Sequence, residues 1–192
     1  MSQQNANTAT AQQARTVNTI DRGKLDLKAL TLYAILLAAG FVLNMTVSKF
    51  FSGLTGGFLS PEFIIAAFCL EILIIKPNIG QAAVIGLLAG VVIQITASVK
   101  GPDLIAEPVA AVVMALLVSA LSNSKAKGLL PLVGTFVVTF ISGIIYAVIF
   151  SFLIMKNPAF MGVMAPVVTA TGVANAIIVA ALHLPIKKAL KL

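Results

Sequence analysis

The stretch Leu30 to Met45, LTLYAILLAAGFVLNM, is too long and too apolar to be one face of a water-soluble helix. It is followed by five more apolar segments separated only by short polar breaks. The chain has 192 residues, 59% of them hydrophobic and 10% charged. A soluble domain carries about a quarter charged residues. Over most of its surface this chain is therefore solvated by lipid, and the length suits about six helices of roughly 20 residues each. The net charge of +7 then records topology and contact with anionic headgroups, and nucleic acid is not an expected partner.

The breaks set the segments. Met1 to about Asp26 is polar with little to bury, which predicts a disordered tail and not a secretory leader. The first span runs from about Lys28 to Val47. The second begins at Ser60-Pro61-Glu62, where an N-capping serine, a first-turn proline and an acid at the positive helix end coincide. It stops at Ile75, short for a full crossing. After the turn at Lys76-Pro77-Asn78 the third runs to about Ala97, with Gly86 and Gly90 giving a small-residue face. Lys100-Gly101-Pro102-Asp103 precedes the fourth, Leu104 to Leu121. The fifth, about Leu129 to Met155, is expected to be the longest, and the sixth runs from about Met161 to Leu184.

Six spans place Arg15, Arg22, Lys24, Lys28, Lys76, Lys125, Lys127, Lys187, Lys188 and Lys191 on one side and Lys49, Lys100 and Lys156 on the other. The positive-inside rule puts the richer side in the cytoplasm. The expectation is an all-α membrane protein with six transmembrane helices and both termini cytoplasmic. Residues 1–27 form the tail and 28–192 a single six-helix substrate-binding domain.

Polar residues collect at the outward ends of the spans, as a small-molecule pocket open to the outside requires, because a polar side chain within the slab must face a partner or a wet cavity. The candidates for ligand contact are Asn44, Lys49, Gln94, Lys100, Glu107 and Asn175. Gln94 and Asn175 either lock helices together or touch a ligand, and Lys49 and Lys100 either snorkel or contribute charge. Thr96, Thr169 and Thr171 bond their own backbone in the simpler reading. Glu71, on the inward half of the second span, is expected to pair with Lys76 or to serve a partner interface, outside the pocket. His183 has no companion ligands, so no metal site is expected. The one cysteine, Cys69, leaves no intrachain disulfide. There is no phosphate loop, no HExxH and no paired nucleophile and base, so the chain is not read as an enzyme, and no cofactor is expected. Ala34 and Ala38, extended by Ala39 and Gly40, form a smooth strip on which another helix packs, within the chain or from a partner.

Size, six spans, the Ala34-Ile-Leu-Leu-Ala38 motif, the polar outward ends and the runs Leu59-Ser-Pro-Glu-Phe63 and Lys76-Pro-Asn-Ile-Gly80 together resemble the substrate-binding S components of energy-coupling factor (ECF) vitamin transporters. The resemblance covers Lys28 to Lys191. It implies a multi-pass protein of a bacterial plasma membrane that binds a vitamin from outside. It further implies docking through Ala34 and Ala38 onto a transmembrane coupling (T) protein, which carries two ATPase subunits, and toppling in the membrane to deliver the ligand. The sequence looks most like the pantothenate-type members. Lys49 or Lys100 would then pair with the carboxylate, with Asn44 and Gln94 on the amide. Glu62, Asp103 and Glu107 on the same side suit instead pyridoxine, a hydroxymethylpyrimidine or another amine-bearing ligand. Two other classes stand beside this reading: a self-standing secondary carrier, for which Glu71 is the one candidate relay group, and a structural membrane subunit without a ligand.

Overall fold

The computed structural model describes Gly23 and residues 25–191, and within them every regular element is helical. Six rods follow one another: α1 (Leu27–Leu54), α2 (Phe63–Ile75), α3 (Ile79–Gln94), α4 (Asp103–Leu121), α5 (Lys125–Ile154) and α6 (Ala159–Ala189). Four of these, α1, α4, α5 and α6, are long and apolar enough to cross a membrane, while α2 and α3 are shorter apolar helices. Most of the expected tail lies outside the described residues. Its end does not: Asp26 caps α1, accepting the Ala29 N–H at 2.8 Å.

The bundle is organised around α2. Every residue from Ile64 to Ile75 is buried, and α2 packs against α1, α3, α4, α5 and α6. A helix that is apolar all round needs cover on all sides, from lipid or from protein, and here protein supplies it. This answers why the second segment is so short: it is the axis of the bundle. Glu71 sits on this helix at 0% exposure, and neither carboxylate oxygen has a hydrogen-bond partner among the described residues. The expected pairing with Lys76, or a place in a partner interface, is therefore overturned. On a central helix every position faces protein, and Lys76 lies exposed beyond the helix end.

Around this axis the neighbours are drawn in by small residues. Gly40 brings α1 onto the start of α2, where an added Cβ would lie 2.8 Å from the Phe63 carbonyl oxygen. Gly40 thus faces inward and does not extend the exposed strip of Ala34, Ala38 and Ala39. The small face of α3 packs on α4: a Cβ on Gly86 would stand 2.5 Å from the Glu107 carbonyl oxygen, and one on Gly90 2.7 Å from that of Asp103. Across the core the Tyr33 hydroxyl donates to the Ile85 carbonyl at 2.5 Å, tying α1 to α3.

Several boundaries differ from the expected ones. α1 runs through a π turn at Asn44–Ser48 and on to Leu54, because the Thr46 hydroxyl folds back onto the Val42 carbonyl instead of breaking the helix. The longest single helix is α6 with 31 residues, not the fifth segment. It carries Pro166 and Pro185 inside it. α5 changes pitch along its length, from a 3-10 turn at Lys125–Leu129 through a π turn to α and to π again at Ile149–Ile154.

Gly86→Ala is expected to destabilise the protein by about 1–3 kcal/mol through overpacking. Gly162→Ala, where no atom lies within 4 Å of the added Cβ, is expected to be neutral or slightly stabilising. Thermal unfolding of both variants in the same detergent checks the pair.

Candidate ligand-binding site

A cavity of about 310 Å³ opens at the end of the bundle where α1, α3 and α5 finish and α2, α4 and α6 begin. Successive helices run in opposite directions, so sequence-distant polar residues meet there. The π turn matters locally. Such turns often occur at functional sites, and this one presents Asn44 and Ser48 to the cavity. α4 contributes Asp103 and Glu107, α5 contributes Thr139, Ser142 and Tyr146, and α6 contributes Met164, Val168 and Thr171.

The floor is a hydrogen-bonded frame around the first residues of α2. The Asn44 amide donates to Glu62 Oε2 at 2.9 Å, and its carbonyl accepts the Phe63 N–H at 2.7 Å. From the opposite side Asn175 Oδ1 accepts the Glu62 N–H at 2.9 Å, while its amide donates to the Glu62 carbonyl at 3.2 Å and to Thr139 Oγ1 at 3.4 Å. Two backbone N–H groups at a helix start, which a helix cannot satisfy itself, are thus held by side chains from α1 and α6. Thr171 donates to the Ser60 carbonyl at 3.2 Å, and Ser48 and Ser60 share a hydrogen bond at 3.1 Å.

Three carboxylates line the cavity, those of Glu62, Asp103 and Glu107, against one cation, Lys49. Glu107 is 2% exposed. Its Oε1 accepts from the Ser142 hydroxyl at 2.8 Å, and its Oε2 has no partner among the described residues. Leaving such an atom unpaired is costly, so this oxygen on the cavity wall is placed to hydrogen-bond a ligand. The chemistry that completes this site is a hydrogen-bond donor or a positive charge.

Of the six residues expected to contact a ligand, Asn44, Lys49 and Glu107 line the cavity and the other three do not. Gln94 braces the turn after α3, donating to Asp103 Oδ2 at 3.3 Å and accepting the Gly101 N–H at 2.8 Å. Lys100 donates to the Gln94 carbonyl. Asn175, 0% exposed, lies beneath the floor and locks α6 to α2 and α5. Thr169 satisfies itself on the Ala165 carbonyl at 2.9 Å. The wall from α5 was absent from the sequence reading. Its signal was available, since Thr139, Ser142 and Tyr146 recur at intervals of three and four and so share one helical face. Among the described residues no group of His, Cys, Asp and Glu has the arrangement to hold a metal ion. No family model, curated protein or solved structure matches the chain.

Asn175→Ala removes the acceptor of the Glu62 N–H and is expected to lower stability by about 1–3 kcal/mol. Thr139→Ala, which loses the long 3.4 Å contact and one buried methyl, is expected to cost about 1 kcal/mol, less than Asn175→Ala. Detergent-solubilised thermal melts of the two variants measure the difference.

Proposed function

We propose that this chain is the substrate-capturing S component of an ECF-type importer of a vitamin or related small metabolite. It spans the plasma membrane six times with both termini in the cytoplasm, and it works with a T protein and two ATPase subunits that supply ATP hydrolysis. The observation that carries this reading is the polar, carboxylate-lined cavity at one end of an otherwise apolar helical bundle. Its volume lies at the small end of the range for metabolite pockets. The cavity end carries Lys49, Lys100 and Lys156, whereas the opposite end carries most of the lysines, which supports an outward-facing mouth. Ala34 and Ala38 are both exposed on α1, beside an apolar groove that also includes Phe41, Val92 and Ile95. Close helix packing favours such a surface.

The balance of groups favours pyridoxine, a hydroxymethylpyrimidine or another ligand with nitrogen donors over pantothenate. Pantothenate would draw on Lys49 or Lys100, Asn44 and Gln94. Lys100 and Gln94 are engaged with each other and with the Gly101 turn, and Asn44 is committed to Glu62 and Phe63. Lys49 alone supports an anion, against three carboxylates. One feature favours a second class, a self-standing secondary carrier: the buried Glu71 at the centre of the bundle, without a hydrogen-bond partner among the described residues, is the kind of intramembrane ionisable group that relays ions.

Uptake of labelled pyridoxine, hydroxymethylpyrimidine and pantothenate into vesicles, with and without the coupling module, tests these readings. ATP-driven uptake only with the module is the expected outcome. Uptake without it, lost in Glu71→Gln, would establish the secondary carrier instead. Replacing Ala34 and Ala38 together with tryptophan is expected to reduce transport at least 100-fold, roughly the loss of 3 kcal/mol of helix docking, while equilibrium binding of the same ligand to the isolated chain holds within about twofold. Parallel loss of both would identify a packing defect.

A further inference from the structure

The end of the bundle opposite the carboxylate cavity holds a second cavity, of about 380 Å³, where α2, α4 and α6 finish and α5 begins. Its polar lining is almost wholly basic: Lys76 from the end of α2, Lys127 from the 3-10 turn of α5, His183 and Lys187 from α6, with Ser122 between them. Among the described residues no acidic side chain lines it. Like charges converging on one concave site repel unless an anion joins them. The helix ends nearby supply carbonyls that draw cations toward this surface.

Lys76 adds a second observation. It follows α2 in the left-handed conformation, with φ of 56°, a position that favours glycine or asparagine. Lys156 and Lys191 share this conformation elsewhere, and of the three Lys76 is the one that lines the basic cavity. The rim of the cavity is not polar throughout. Leu132 and Leu184 line it too and are 42% and 61% exposed. Basic groups within and exposed leucines alongside fit an amphiphile with an anionic head and apolar tails better than they fit a soluble anion. Basic pockets between helices on the cytoplasmic side suit phospholipid headgroups in this way.

We propose that this cavity binds the phosphate headgroup of an anionic phospholipid, with Lys76, Lys127 and Lys187 as its cationic contacts and the acyl chains along Leu132 and Leu184. The inference needs a membrane setting but not the transport role. Recovery of folded protein in phosphatidylcholine nanodiscs checks that setting separately.

The test titrates the full-length protein in non-ionic detergent with phosphatidylglycerol and reads the lipid-bound fraction by native mass spectrometry. Each cavity lysine is expected to contribute about fivefold in apparent affinity. The variant Lys76→Gly/Lys127→Gln/Lys187→Gln should therefore bind roughly 100-fold more weakly. A control, Lys125→Gln/Lys188→Gln/Lys191→Gln, removes three lysines from the same end that do not line the cavity and should bind within about threefold of the parent. Lys76→Gly alone guards against a folding artefact, because glycine relieves the left-handed position. Its melting temperature in phosphatidylcholine should hold or rise while its affinity for phosphatidylglycerol falls about fivefold. Equal losses in the two triple variants would overturn the proposal in favour of a diffuse basic surface. Saturable binding of glycerol phosphate with no retention of the lipid would overturn the lipid assignment.

Discussion

A helix with apolar side chains in every direction cannot lie at a surface that water reaches, and α2 meets that demand by taking the centre. The other five helices must then supply its cover, and the last polar groups at its start must be satisfied from the sides. Asn44 and Asn175 do this from α1 and α6. Their hydrogen bonds serve two purposes at once. They complete the backbone at the head of the central helix, and they make a rigid polar floor on which a cavity stands. The positions of Glu62, Thr139 and Thr171 all follow from this frame.

The sequence was most informative where local chemistry decides the outcome. Turn residues at Lys76-Pro77-Asn78 and Lys100-Gly101-Pro102 separate helices as expected. The glycines at 86 and 90 mark a close helix pair because only a missing side chain permits that approach. Tertiary placement was less legible. An apolar segment of thirteen residues reads the same whether it is a truncated span or a buried axis, so the full burial of Glu71 could not be foreseen. Gln94 and Asn175 had two possible uses each, and which one a large amide takes depends on what stands opposite it. The α5 wall was missed for a different reason: hydroxyl side chains in a membrane helix usually satisfy themselves, which hid the shared face of Thr139, Ser142 and Tyr146.

Charge divides the molecule into two ends of opposite character. Carboxylates converge where α2 begins, and ammonium groups converge where it finishes. In the proposed orientation this polarity runs parallel to the positive-inside bias, and the lysines that would set orientation are the ones proposed to hold headgroups. The acidic end leaves Glu107 with an acceptor to fill. The apolar groove beside Ala34 and Ala38 runs along α1 to Phe41, Val92 and Ile95, next to the acidic end.

The shortness of the central helix has an electrical consequence. Thirteen residues rise about 20 Å at 1.5 Å each, against a hydrocarbon layer of about 30 Å. In the proposed orientation, with Ile75 at the cytoplasmic face, the floor at Glu62 would lie about a third of the way into the layer from outside. A bound ion at that depth has crossed part of the membrane field, worth about 2.3 kcal/mol per charge per 100 mV for the whole thickness. A third of that is roughly 0.8 kcal/mol per 100 mV. With the interior negative, a cation is drawn down onto the floor and an anion is driven off it. In the proposed orientation, the resting potential of the cell thus acts on ligand charge in the same direction as the three carboxylates.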